Sequence, residues 1–362
     1  MKKKAKAGGP GEHPRRSKCP DNSAFYQQRI PAWTPALTAE PVLFIFFVIG
    51  IFCVAVGVAW IVSVINVKEI KINYSDACPQ CSQLRENSSN YAKECTCIVN
   101  FTLQEAIQGD VFMYYGLDNF YQNHRRYAIS RYEEQLLGQN VYTEEYNSTL
   151  DTKCAPFARY PDGTPMAPCG SIANSMFNDS ILLYYYPDAA HTMTVPLVRN
   201  GNSWWSDKNV KFENPDPKGD LREAFKGTRP PPYWQKAVYS LDETDPENNG
   251  YKNDDLIIWM RVAAFPTFRK LYRRLSRAGI FVDGLPPGNY SYNIAYNFAI
   301  SRFRGKKRVI LSTMTWCGGR NMFLGIAYTA TGAVTIVTAF IMLAIHLKLR
   351  KKQTYFQQSH QS

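Results

Sequence analysis

The cysteines are the first residues whose type and spacing carry chemistry. Cys78-x2-Cys81 is followed by Cys95-x-Cys97, with Cys154 and Cys169 further along. Thiols this close either ligate zinc or pair as disulfides. Zinc sites prefer two to four residues between paired ligands, and the second pair has one, with no histidine near. Disulfides in an oxidising compartment are therefore expected. Six cysteines leave the pairing open. An outer Cys78–Cys97 and inner Cys81–Cys95 staple, with a separate Cys154–Cys169 bridge, keeps the closed loops short and is the pairing we expect. Cys19, Cys53 and Cys317 are left over, with Cys317 expected to be unpaired.

Asparagines come next. Asn73, Asn87, Asn100, Asn147, Asn178 and Asn289 are each followed two residues on by Ser or Thr, and all lie in the same central stretch as the six cysteines. Such sequons are glycan acceptors when the chain passes through a secretory lumen. Catalytic chemistry is sparse. Only His124 and His191 fall in that stretch, and G-x-S-x-G, H-E-x-x-H and phosphate-loop patterns are all missing. The acidic pairs Glu133-Glu134, Glu144-Glu145 and Asp254-Asp255 are adjacent in sequence, a spacing that points carboxylates apart or into solvent. The basic run Arg269–Arg274 reads as a solvated helix face with a Leu/Tyr stripe, or else as a docking surface. We expect no enzyme, metal or cofactor.

The elements that position these groups begin with two apolar runs. Residues 42–65 and 321–347 contain no Asp, Glu, Lys or Arg, and each is long enough for a transmembrane helix. The first starts too deep and runs too long for a cleaved signal peptide. Residues 1–41 carry +5 and residues 348–362 carry +4, nine of the formal +12. Basic flanks at both outer ends place both tails in the cytosol. They also explain the charge without nucleic acid, through anionic headgroups of membrane phospholipids. The expected plan is a cytosolic tail (1–41), a span (42–65), a glycosylated ectodomain (66–320), a second span (321–347) and a cytosolic tail (348–362).

Within the ectodomain, strands are predicted over Val111–Leu117, Ile181–Tyr186, Leu256–Ala264, Asn289–Ile300 and Arg308–Trp316. Short helices are predicted over Asn119–Arg131 and Thr267–Gly279. The fold class is two transmembrane α-helices around a large, mainly antiparallel β, sandwich-like, disulfide-bonded ectodomain.

Several long strings then stand out: Pro20–Phe25, Gln27–Pro35, Phe112–Leu117, Asn119–Tyr127, Ala167–Asp179, Trp204–Phe212, Trp259–Tyr272, and the run Leu311–Trp316, Gly318–Asn321 and Phe323–Tyr328. Together they resemble the CDC-fifty (ligand-effect modulator) family, the accessory β-subunits of phospholipid-flipping type IV P-type ATPases, from about residue 20 to residue 347. The resemblance implies a heterodimer with the ATPase α-subunit, escort out of the endoplasmic reticulum, and aminophospholipid movement to the cytosolic leaflet. ATP and the phosphorylated Asp would belong to the partner. It also implies that the six loop cysteines are the family's bridging cysteines. Two departures point to a divergent paralogue. Cys317 and Arg320 stand where Met and Lys are common, and Asn293-Ile294-Ala295 lacks a sequon hydroxyl, with Asn289 as a nearby substitute.

The expected partner contacts are Phe25, Arg29, Pro31 and Trp33 in the first tail, and Trp204, Trp205, Trp259, Arg261, Phe268, Arg269, Trp316 and Asn321 beyond it. Phe25 and Trp33 would otherwise be plain interfacial anchors. Small residues of the second span, Gly325 to Ala333, would face the partner's helices or lipid. The same plan also fits a subunit of a two-span cation channel with a cysteine-rich ectodomain. That reading is weakened by a second span whose polar residues are mainly threonines, with no acidic ring.

Overall fold

In a computed structural model of the chain, the described residues are 22–32, 38–90, 93–139, 141, 144–188, 190–216 and 220–359. The chain divides into two units, residues 1–55 with 329–362, and residues 56–328. Three helices matter below: α1 (Ala39–Ile65), α2 (Asp254–Met260) and α3 (Phe323–Ser359). Both α1 and α3 are long and apolar enough to cross a membrane. The 27 residues of α1 alone run about 40 Å.

In the first unit, Gly50 of α1 meets Gly332 of α3. A Cβ at Gly332 would lie 2.7 Å from the Gly50 carbonyl oxygen and 2.8 Å from the Val54 nitrogen. Phe47 meets Phe340 edge-on at 5.1 Å. In the second unit the same device recurs, with Gly325 against the Gly57 carbonyl and Ile61. Glycine permits this approach because it has no Cβ. Gly325 and Gly332 therefore pack within the chain itself, and are not free to face a partner or lipid.

The second unit is the β-rich domain. Its strands are β1 (Glu69–Asn73), β2 (Thr96–Leu103), β3 (Ile107–Gln108), β4 (Val111–Asp118), β5 (Ser180–Tyr186), β6 (Met193–Thr194), β7 (Leu197–Val198), β8 (Phe268–Leu275), β9 (Gly284–Leu285), β10 (Gly288–Ala295) and β11 (Lys306–Thr313). One sheet runs β1-β11-β4-β8-β7, a second β2-β10-β5-β6, and β3 pairs with β9. Pairing between named strands is antiparallel throughout. Alternation places Met113 and Tyr115 of β4 in one core with Ile181 and Leu183 of β5 and Tyr290, Tyr292 and Ile294 of β10. Disulfides join Cys78 to Cys97, Cys81 to Cys95 and Cys154 to Cys169, while Cys53 and Cys317 are free thiols.

Two predicted elements exchange types. Residues 256–260, read as the start of a strand, fall in α2. The Asn253 side chain accepts a hydrogen bond from the Leu256 nitrogen at 3.1 Å, and Asp254 and Asp255 occupy the first turn, where the helix dipole favours acids. An apolar run such as Leu256–Met260 has no period that separates a buried helix from a buried strand. Residues 268–275, read as a helix, form β8 between β4 and β7. The basic run is not a solvated face, since Lys270 and Arg273 are buried. Predicted helix Asn119–Arg131 shrinks to one turn, Arg125–Ala128. Asp254 and Asp255 do point apart, Asp254 toward Lys208 and Asp255 toward Arg199 and Arg273.

Candidate partner interface

Three exposed tryptophans of the β-rich unit, Trp204, Trp205 and Trp316, sit on pinned loops. Trp204 and Trp205 precede a helical turn, Asp207–Lys211. The loop is fixed from beneath by Asp254, which accepts hydrogen bonds from the Asn202 nitrogen (2.8 Å), Ser203 Oγ (2.7 Å) and Lys208 Nζ (2.9 Å). Burial alone would raise the Asp254 pKa. The hydrogen bonds from Lys208, Ser203 and Asn202 outweigh it and hold the carboxyl below its ordinary value. Asp254 thus stays ionised and ties the Asn202–Lys208 loop to α2.

Arg261 follows α2 and turns back to this loop. Its guanidinium lies 5.2 Å from the centre of the Trp204 ring and pairs with Asp207 at 3.0 Å. A cavity of about 310 Å3 opens here, lined by Trp204, Asp207, Ile257, Arg261, Arg269 and Lys270. Lys270 enters it from below. Its ammonium donates to the carbonyls of Ile258, Trp259 and Arg261 at 2.9, 2.6 and 2.7 Å, which are end groups of α2. Burial pushes its pKa well down, and Arg261 adds to that.

Arg269 continues the surface. It pairs with Glu69 at 2.5 Å and lies 5.0 Å from the Tyr114 ring. Burial raises the Glu69 pKa, yet Lys71 and Arg269 bring it below the usual carboxylate value. Tyr114 in turn donates its hydroxyl to Met314 Sδ at 3.2 Å. Trp316 sits at the tip of a tight turn closed by Thr315 and Gly318, whose backbones exchange hydrogen bonds of 3.0 and 2.9 Å. Gly318 has φ of 102°, which a side chain would oppose. The Trp316 ring packs edge-on against Trp60 at 5.8 Å and donates its indole nitrogen to Ser63 Oγ at 3.2 Å.

The outcome for the expected contact residues is mixed. Trp204, Trp205 and Trp316 are 66%, 74% and 78% exposed, although each is held on an ordered loop. Arg261 and Arg269 line the cavity beside Trp204. Trp259 does not belong with them. It is fully buried, its indole donates to the Ile172 carbonyl at 2.7 Å, and it packs among Phe120, Phe268 and Phe298. Phe268 is half-buried against that same cluster. Asn321 is exposed, and its side chain accepts from the Phe323 nitrogen at 2.9 Å, capping α3. In the first unit, Phe25 and Pro31 are exposed and Arg29 bonds to the Asn22 side chain. Trp33 lies outside the described residues.

Among the sequons, Asn87, Asn100 and Asn289 are exposed and Asn73 and Asn178 half-buried, while the Asn147 side chain is outside the described residues. Sequence reasoning missed Asp254, Lys270, Glu69, Tyr114 and Met314 as organisers of this surface. Only Asn253, a strong helix cap followed by two acids, signalled any of them.

The comparisons agree on one group. A family model described as LEM3 (ligand-effect modulator 3) family / CDC50 family matches residues 60–352. The chain is 52% identical over 340 residues to Cell cycle control protein 50C of Macaca fascicularis, covering 94% of this chain and 96% of that protein. It is 46% identical over 350 residues to Cell cycle control protein 50A of Mus musculus (95% and 94%) and 44% identical over 338 residues to Cell cycle control protein 50B of Homo sapiens (91% and 94%). With a family match that takes in the whole β-rich unit from β1 to β11 and most of α3, this chain belongs to the ligand-effect modulator 3 (LEM3) or CDC50 family.

Proposed function

We propose that this chain is the non-catalytic accessory subunit of a type IV P-type ATPase that moves aminophospholipids from the exoplasmic to the cytosolic leaflet. In this reading both tails are cytosolic and the β-rich unit is exoplasmic. The complex forms in the endoplasmic reticulum and leaves it for the Golgi, secretory vesicles or plasma membrane. The observation that carries the reading is the set of exposed tryptophans Trp204, Trp205 and Trp316 on loops where Asp254, Asp207, Arg261 and Arg269 are already ion-paired and Lys270 is held by three carbonyls. Pre-ordered aromatic anchors with satisfied polar surroundings suit docking onto another protein rather than turnover of a substrate. Family membership supports the choice of partner.

The test is co-expression with candidate type IV P-type ATPases, scoring ER exit, co-purification and uptake of labelled aminophospholipid. A one-to-one complex and restored uptake are expected with at least one of them. Trp204→Ala combined with Trp316→Ala should cut co-purification sharply while leaving the thermal midpoint of the chain almost unchanged, because exposed rings bury little on folding. If no ATPase leaves the ER with this chain, the reading is wrong.

A further inference from the structure

The sheet β2-β10-β5-β6 has one face in the core, and its other face is open at Asn100, Thr102 and Asn289 but closed at Ser291, which is buried and meets the Tyr186 hydroxyl at 2.9 Å. Along β2, Cys97, Val99, Phe101 and Leu103 are the more buried residues and Ile98, Asn100 and Thr102 are exposed. Along β10, Tyr290, Tyr292 and Ile294 join the core and Asn289, Ser291 and Asn293 take the opposite face. At one end that outward face exposes two aliphatic side chains, Ile98 (64%) and Leu182 (47%), with Asn293 paired to both in register.

Two of the six sequons lie on this face, interleaved. Asn100-Phe101-Thr102 runs antiparallel to Asn289-Tyr290-Ser291. In the β2–β10 register Asn100 faces Ser291 and Thr102 faces Asn289. Each acceptor asparagine is therefore opposite the hydroxyl residue of the other's sequon, and the two asparagines are diagonal neighbours, about 7–8 Å apart. Thr102 Oγ1 donates to Asn289 Oδ1 at 2.8 Å. That bond uses the amide oxygen of Asn289 and not the nitrogen, the atom that carries a sugar. In the nascent chain the two sequons are 189 residues apart. Both are open to modification before the sheet forms, and folding then brings them together.

We propose that Asn100 and Asn289 both carry N-glycans, and that this glycan pair covers the outward face of β2, β10 and β5, including Ile98 and Leu182. The occupant of this face is then the chain's own carbohydrate, not a partner protein. This inference requires only passage through a secretory lumen, so it stands or falls apart from the accessory-subunit reading. Asn289 is the informative site, since it lies two pleats along β10 from the hydroxyl-lacking Asn293-Ile294-Ala295 and on the same face.

The experiment uses the full chain expressed in mammalian cells. Asn100→Gln, Asn289→Gln and Ser291→Ala should each lose one glycan step in electrophoretic mobility, and Asn100→Gln with Asn289→Gln should lose two. Attachment precedes folding, so the step can be counted even in a variant that folds poorly. An unchanged mobility for both Asn289→Gln and Ser291→Ala overturns the paired-glycan proposal. Cover is read with Leu182→Cys and a membrane-impermeant maleimide, against the background of the unsubstituted chain. Labelling should speed up after native deglycosylation. Equal labelling before and after, with both glycans present, overturns the shielding.

Discussion

Two regions of the β-rich unit bury a lysine, and they satisfy it in opposite ways. Lys307 of β11 is fully buried and pairs at 2.6 Å with Asp179, which is equally buried. The carboxylate is saturated. It also accepts from the Tyr74 hydroxyl at 2.6 Å and from the Asn297 and Phe298 nitrogens at 2.5 and 2.6 Å. Lys307 further donates to the Phe298 carbonyl at 2.7 Å and lies 3.1 Å from the centre of the Tyr296 ring. Among the described residues, Lys270 of β8 has no carboxylate hydrogen-bond partner and donates to the three carbonyls at the end of α2. The first is a charge-neutral knot tying β11 to the segment before β5. The second is a cation placed at the negative end of a helix, directly beneath the Trp204–Arg261 surface. The difference separates a residue pair that holds the fold from a residue that shapes the candidate interface.

The largest expected effect follows from the knot. Asp179→Asn leaves Lys307 buried without a countercharge and should cost about 3–5 kcal/mol, as removal of one partner from a buried pair does. The chain should then be retained before glycan maturation, and its thermal midpoint in detergent should fall steeply. Lys307→Met should be similarly severe. Combining the two should cost clearly less than the sum, because neither charge is then orphaned. Strict additivity would show that the pair is not the unit of stability described here.

Lys270→Met is expected to be milder. It strands three carbonyls and no charge, a loss of about 1–3 kcal/mol. The chain should still fold and mature, while α2 loses the donor that fixes its last turn beneath Arg261 and Trp204. Capture of a partner should therefore weaken more than the melt predicts. A melt as damaged as that of Asp179→Asn would erase the distinction between the two lysines.

How far these regions were legible in sequence differs for a physical reason. The apolar runs of α1 and α3 and the alternation of Tyr290, Tyr292 and Ile294 are local patterns, and they predicted both helices and the strand, which ends at Ala295 rather than Ile300. The type of β8 was misread because Lys270 and Arg273 look like solvent-facing residues. They are tolerable inside only because carbonyls from α2 and the Asp255 carboxylate meet them there. Trp259 was read as an anchor from its residue type, but its burial depends on Ile172, Phe120 and Phe298, none of them its neighbours in sequence. Asp179 and Lys307 are 128 residues apart, and no spacing rule connects them.

The smallest effect is a pH dependence, and it distinguishes the two sites again. Burial pushes the Lys307 pKa down to about 8, with Asp179 opposing the shift. In the unfolded chain the same group holds its proton to about 10.4. Between these values the unfolded state binds more protons, so this group makes stability rise with pH across the window. Lys270 is also shifted down and contributes a rise of the same sign, but it is unaltered in the Asp179→Asn, Lys307→Met double variant. Comparing wild type with that variant therefore isolates the knot. The wild-type melting midpoint should gain on that of the double variant as pH increases from about 8 toward 10. Parallel curves would show that Lys307 keeps an ordinary pKa in the fold, and that the carboxylate of Asp179 offsets its burial in full.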